Sequence, residues 1–223
     1  MENSYNEIKN EVQEFINKFE NDKELTTILD KYYKGTQILL SGLHHKPKFM
    51  FIGINPGAGY FKSNGKKVMK LGIQEKLEYT YKQYNYALAR NTRNLFELAG
   101  CSKYLENSVK TNQFFFATAK ETELYKMLSH FKHLKIYNKS KTWVDKIVSI
   151  VQPEIIICEG KSAFDRFSKN KDCQIIVNGN VYYTKYEKIH IIGYKRRFSD
   201  IIDIEKVAKL INEKLKETKL TKE

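Results

Sequence analysis

Cysteine, proline and tryptophan are scarce in this chain of 223 residues, which has three, three and one of them. Cys101, Cys158 and Cys173 are odd in number and show no Cys-x-x-Cys spacing, so they read as reduced thiols in the core. Three cysteines cannot supply the four thiolates of an iron–sulfur cluster. Histidine is also sparse. His44 and His45 precede an apolar run and read as structural or surface residues, and His190 lies within another run. His130 and His133 have i,i+3 spacing but no third ligand beside them, so neither a metal nor any cofactor is expected. No Ser-His-Asp triad and no zinc-deaminase pattern can be assembled. No stretch approaches the roughly 18 apolar residues of a membrane span. The first residues, Met1 to Val12, carry Glu2, Glu7, Lys9 and Glu11 and lack the apolar centre of a signal peptide, which predicts a cytoplasmic location and no membrane partner. There is no internal repeat and no linker rich in proline or glycine. The expectation is one domain over residues 1–223, long enough to build a core without disulfide or metal staples.

Negative charge is in deficit. Lys and Arg number 39 against 26 Asp and Glu, a formal net charge of +13. Such a field favours polyanions, nucleic acid first and anionic membrane second, although a lysine-rich composition also serves solubility alone. Fifteen tyrosines and thirteen phenylalanines tilt the reading toward nucleic acid, because aromatic rings stack on unpaired bases.

The apolar pattern alternates between helical and strand periods. Ile8, Val12, Ile16 and Phe19, widened by Phe15, mark one helix face. A second helix is expected over Glu24–Tyr33, making residues 1–47 a helical N-terminal segment. Phe49–Ile52 reads as a buried strand, followed by a basic loop or lid over Lys62–Lys76. Tyr79–Gly100 is helical, with Leu88, Leu95, Phe96 and Ala99 inward. Val109–Ala117 is a strand, Thr142–Val151 a helix on Trp143, Ile147 and Ile150, and Ile155–Cys158 the plainest buried strand. Glu159 to Ser162 then turns into a helix carrying Ala163, Phe164 and Phe167. Asp172–Tyr183 reads as a hairpin about Asn178-Gly179-Asn180, and Lys188–Gly193 as a further buried strand. A C-terminal helix is expected over about 203–217, with Ile204, Val207, Leu210, Ile211 and Leu215 on one face. This alternation predicts a three-layer α/β/α fold around a central, mostly parallel sheet.

The chain is organised around Gly53-Ile54-Asn55-Pro56-Gly57, at the end of the first buried strand. In open α/β sheets, the loop at the carboxyl end of a strand is where ligands bind. The loop can be read as an anion nest of backbone N–H groups or as a tight turn that needs glycine. It is not a P-loop, because no Lys-Ser/Thr follows in the required spacing. Glycines at 53, 57 and 59 also fail the dinucleotide fingerprint.

Gly53 to Gly57 resembles the first motif of the uracil-DNA glycosylase superfamily. It is closest to the mismatch-specific and single-strand-selective branches, which have Asn where the classical branch has Asp. Asn94-Leu95-Phe96 with Ala99-Gly100 resembles the helix after the substrate loop, and Val109 to Asn112 resembles the second core strand. Ile155 to Ser162 resembles the third strand and its turn. The likeness spans roughly residues 38 to 200. It implies a four-stranded central sheet and base flipping from DNA by a monomer. In that reaction water attacks the sugar and an abasic site remains.

The resemblance also implies roles. Asn55 would orient the water rather than act as a strong base, and backbone N–H groups of Ile54, Asn55 and Gly57 would meet a base carbonyl, Pro56 having none. Gly53 and Asn112 complete the base site, with Asn112 offering a donor and an acceptor to a pyrimidine edge. The classical branch carries a bulky Tyr near Gly57, so glycine there implies room for C5-substituted bases. Tyr60 or Phe61 would stack on the base; the family's own stacking position falls at Lys67 and Val68 here. The family's second motif, His-Pro-Ser or Asn-Pro-Ser, is replaced by Tyr194-Lys195-Arg196-Arg197-Phe198-Ser199. With Lys62, Tyr194, Lys195, Arg196, Arg197 and Ser199 are assigned to DNA contact, and a cationic or aromatic wedge, with Arg196 or Arg197, to the gap left by the flipped base. Modified bases of foreign DNA are one substrate class this implies. Two alternatives remain at the level of sequence: a nucleic-acid-binding protein of the same fold without catalysis, and a nucleotide- or phosphate-handling enzyme using the glycine turn as a nest.

Overall fold

A computed structural model describes residues 1–57, 68–75, 77–80, 83–131, 135–169, 171 and 173–220. Helix α1 (Glu2–Glu20) buries Tyr5, Ile8, Val12, Phe15, Ile16 and Phe19, the face expected from the spacing plus one more turn. Helix α2 (Thr26–Tyr32) follows. The N-terminal segment is not purely helical, because strand β1 (Gly35–Gln37) comes before β2 (Phe49–Gly53). Strand β3 (Val68–Lys70) lies where a loop was expected, and it pairs in parallel with β1. The long helix expected from Tyr79 is shorter. A 3₁₀ turn occupies Glu78–Thr80, and α3 runs over Ala87–Leu98.

The expected strand over Val109–Ala117 is split. Strand β4 (Val109–Asn112) joins the main sheet, whereas β5 (Phe116–Ala117) pairs antiparallel with β1 in a separate sheet of order β3-β1-β5. Helices α4 (Glu121–Ser129) and α5 (Ile136–Val151) follow, the latter longer than its apolar stripe suggested. Next come β6 (Ile155–Cys158) and α6 (Lys161–Ser168). The hairpin β7 (Ile176–Asn178) and β8 (Val181–Tyr186) then leads to β9 (Ile189–Tyr194). A ribbon of β10 (Arg196–Arg197) and β11 (Asp200–Ile201) precedes α7 (Ile204–Leu220).

The main sheet has six strands in the order β4-β2-β6-β9-β8-β7, not four. β4, β2, β6 and β9 are mutually parallel, and the β8–β7 hairpin adds two antiparallel strands at one side. Strand alternation sorts the core into two apolar layers. Met50, Ile52, Ile156, Cys158 and Ile191 pack with residues of α1, α5 and α6. Phe49, Phe51, Ile155, Ile157 and Ile192 pack with residues of α3 and α7. Near-continuous apolar strands are what a sheet covered on both faces requires. The Phe96 ring meets Phe49 edge-on at 4.9 Å, and each such buried ring contributes about 1.5–3 kcal/mol. Among the described residues no helix is long and apolar enough to cross a membrane.

His190 gives the fold a pH dependence. Its Nδ1 lies 2.9 Å from the Tyr183 hydroxyl, its Nε2 is 3.9 Å from Glu217, and it is 3% exposed. Burial is the largest effect and holds its pKa below the ordinary value. Lys185 and Lys214 push the same way, while Glu217 and Glu154 oppose them. A histidine that is harder to protonate when folded stabilises the fold fully above its unfolded pKa of about 6.5. That contribution is lost as pH falls from there through the folded pKa. Thermal unfolding is therefore expected at lower temperature at pH 5.5 than at pH 7.5, with a smaller difference in His190→Gln. An equal difference in both proteins would refute the assignment.

Candidate active site

The carboxyl ends of the four parallel strands bring most of the expected residues together. Gly53 is paired with Asn112 across β2 and β4. Glu159 and Tyr194 each lie one residue beyond the paired positions Cys158 and Gly193 of β6 and β9, and the Glu159 N–H donates to the Ile52 carbonyl at 2.9 Å. Asn112, Gly53, Glu159 and Tyr194 therefore form one row across four strands. Below it the next row on the same face begins Lys110, Phe51, Ile157 and Ile192.

Gly53 is needed for this row to close. A Cβ there would lie 2.4 Å from Asn112 Oδ1 and 3.3 Å from Glu159 Oε2. Asn112 is 2% exposed, and its Nδ2 is a buried donor without a partner. An unpaired buried donor costs about 1–3 kcal/mol, so it marks a place where a ligand or water is to be received. Gln113 Nε2 and the Tyr194 hydroxyl are unpartnered in the same way.

Asn55 is half-buried in the loop after β2. Its Nδ2 faces three acceptors: the carbonyls of Pro56 at 3.1 Å and Phe116 at 3.3 Å, and Thr118 Oγ1 at 3.0 Å. The Thr118 hydroxyl has its own proton committed to the Lys120 carbonyl at 2.8 Å. Three acceptors around one end of the amide fix its orientation, since the opposite flip would set oxygen against oxygen. Oδ1 is thereby turned away, and no described residue donates to it. Ile54 and Pro56 are buried and hold the loop, and the Phe114 N–H donates to the Ile54 carbonyl at 3.0 Å. Gly57 is exposed and forms a single bridge with Thr118. Among the described residues, nothing lies within 4 Å of where a Cβ at Gly57 would be. Tyr60, Phe61 and Lys62 lie outside the described residues, as does His133.

Behind the row sits a charged group not anticipated from sequence. Lys110 Nζ is 2.7 Å from Glu159 Oε2, the two side chains being 7% and 2% exposed. The Tyr79 hydroxyl donates to Glu159 Oε1 and accepts from Lys110 Nζ, and that ammonium lies 4.2 Å from the Tyr79 ring centre. Burial lowers the Lys110 pKa, an effect that Glu159 opposes. Burial and then Glu159 raise the pKa of Tyr79, keeping its hydroxyl protonated. Among the described residues no cluster of His, Cys, Asp and Glu has the form of a metal site.

The segment assigned to DNA contact divides. Tyr194 is fully buried, so it lines the site and does not share the surface of its neighbours. Lys195 and Arg197 are exposed, and Arg196 and Ser199 are partly covered. Instead of a loop, residues 196–201 form the β10–β11 ribbon, with Arg197 paired to Asp200. Asn91 of α3 anchors it, donating to the Ser199 carbonyl at 2.8 Å and to Asp200 Oδ1 at 3.0 Å. Arg196 lies against Gly160, where φ is +120° and a Cβ would sit 3.4 Å from its Nε. Arg196 therefore folds back on the β6–α6 turn, and the residue at the tip is Phe198, 92% exposed and at φ +55°. Left-handed backbone is costly for an aromatic residue, and exposure of the whole ring adds to the anomaly. No protein-family model matches this sequence, and neither does any curated protein.

Proposed function

We propose that this chain is a monofunctional DNA glycosylase of the uracil-DNA glycosylase superfamily, with that family's layering of helices about the parallel strands. It flips a damaged or modified pyrimidine out of DNA as a monomer and hydrolyses its N-glycosidic bond without a cofactor. The observation that carries this reading is the fixed Asn55 amide. Its nitrogen is held by Pro56, Phe116 and Thr118, leaving Oδ1 as an acceptor for water. The base lies by Asn112, whose free Nδ2 donates to its edge.

The C1′–N1 bond breaks with its electron pair passing to the base. The water oxygen bonds C1′, one water proton remains on the new hydroxyl, and the other ends on the released base. Asn55 orients the water for this step and is too weak a base to take its proton early. The open edge at Gly57 admits groups at C5, which makes modified pyrimidines, including those of foreign DNA, the substrate class of choice. Phe198 enters the duplex where the base leaves, and Lys195 and Arg197 contact phosphates.

The test is a panel of oligonucleotides carrying uracil, thymine mismatches and modified cytosines, incubated with the protein and cleaved by alkali. A product at one of these positions is expected. DNA binding with no abasic product across the panel would favour a non-catalytic binding protein instead, the reading that suits a second motif without His.

A further inference from the structure

The Lys110–Glu159 pair has no part in the reaction as outlined. It lies on the sheet face that also carries Phe49, Phe51, Ile155, Ile157 and Ile192. Lys110 sits two residues before Asn112 on β4 and reaches across Phe51 of β2 to the carboxylate that follows β6. Taking two charges out of water costs about as much as their attraction returns, so stability alone is a poor reason for such a pair. Its position is not random. Glu159 stands at the carboxyl ends of the strands, in the row between Asn112 and Tyr194, both of which carry buried, unpartnered donors. The hydroxyl of Tyr79 closes the pair from the helical layer.

We propose that the Lys110–Glu159 pair, closed by Tyr79, is a positioning element for base release; this rests on the glycosylase reading. It holds the donor row in place: Glu159 stands in that row beside Gly53 and Asn112, and Lys110 and Tyr79 fix its carboxylate from behind. Donors held fixed in this way act on the transition state without having to reorganise during the step.

Single-turnover base release, DNA affinity and melting temperature are measured for the wild type, Glu159→Gln, the double variant Lys110→Met/Glu159→Gln, and Tyr79→Phe. Glu159→Gln leaves a buried ammonium uncompensated and loses both stability and rate. The double variant removes both charges and regains most of the melting temperature. Its rate nevertheless stays about 100-fold down, with DNA affinity within about twofold of wild type. Tyr79→Phe keeps the ring and the fold and is about tenfold slower. A wild-type rate in the folded double variant, or in Tyr79→Phe, overturns the proposal and leaves the glycosylase reading standing. No product from the wild type on the whole panel overturns both.

Discussion

Asn55→Ala is expected to slow base release by about 10²–10³-fold in single turnover with little change in DNA affinity, while loss of its Nδ2 bonds costs about 1–3 kcal/mol of stability. The argument is geometric. The amide nitrogen is held by two carbonyls and a hydroxyl whose own proton is already committed, so Oδ1 has one orientation. Alanine removes that acceptor and nothing that contacts DNA from the surface. The loop itself is held by Ile54 and Pro56, which are buried and untouched by the change. Asn55→Asp is not a conservative test here, because a carboxylate cannot donate to the Pro56 and Phe116 carbonyls. A wild-type rate in Asn55→Ala would remove Asn55 from the reaction.

Phe198→Gly should slow excision from duplex DNA by about 10–100-fold while leaving excision from single strands nearly unchanged. Base flipping from a duplex has to offset lost stacking and pairing, a few kcal/mol that a single strand does not demand. In the proposed reading Phe198 fills that gap, from the tip of a ribbon tied to α3 through Asn91. Stability should hardly move. Glycine relieves the left-handed strain at φ +55° but makes the unfolded chain more flexible, and the two effects are of similar size. Equal losses on both substrates would show that Phe198 acts by stacking on DNA in general and not as a wedge.

The parts legible in sequence were those set by local pattern. The α1 stripe, the β2, β6 and β9 runs and the α7 face follow from periodicity alone, as does the place of Gly53 to Gly57 at the carboxyl end of β2. The β1, β3 and β5 strands were not legible, because strands of two or three residues pair across distant segments and carry too few side chains to show a period. The break inside Val109–Ala117 leaves no mark in the pattern, because burial of Phe114, Phe115 and Phe116 is the same whether one sheet or two receives them. The Lys110–Glu159 pair has a signature in the sequence. A lysine inside a fully buried strand, and a glutamate directly after another, imply partners of opposite charge once those strands flank a common neighbour. The place of Phe198 is not legible for a different reason. Its neighbours Lys195, Arg196, Arg197 and Ser199 are basic or polar, and only the ribbon geometry puts the aromatic ring, and not an arginine, at the tip.

The most direct test of the central claim is base release itself, measured with wild type and Asn55→Ala side by side on duplexes bearing uracil, mismatched thymine and C5-modified cytosines. The account predicts an abasic, alkali-labile site at one of these bases with the wild type, and its formation slowed at least about a hundredfold by the substitution. Intact strands across the panel with wild-type protein, or equal cleavage by both proteins, would contradict it.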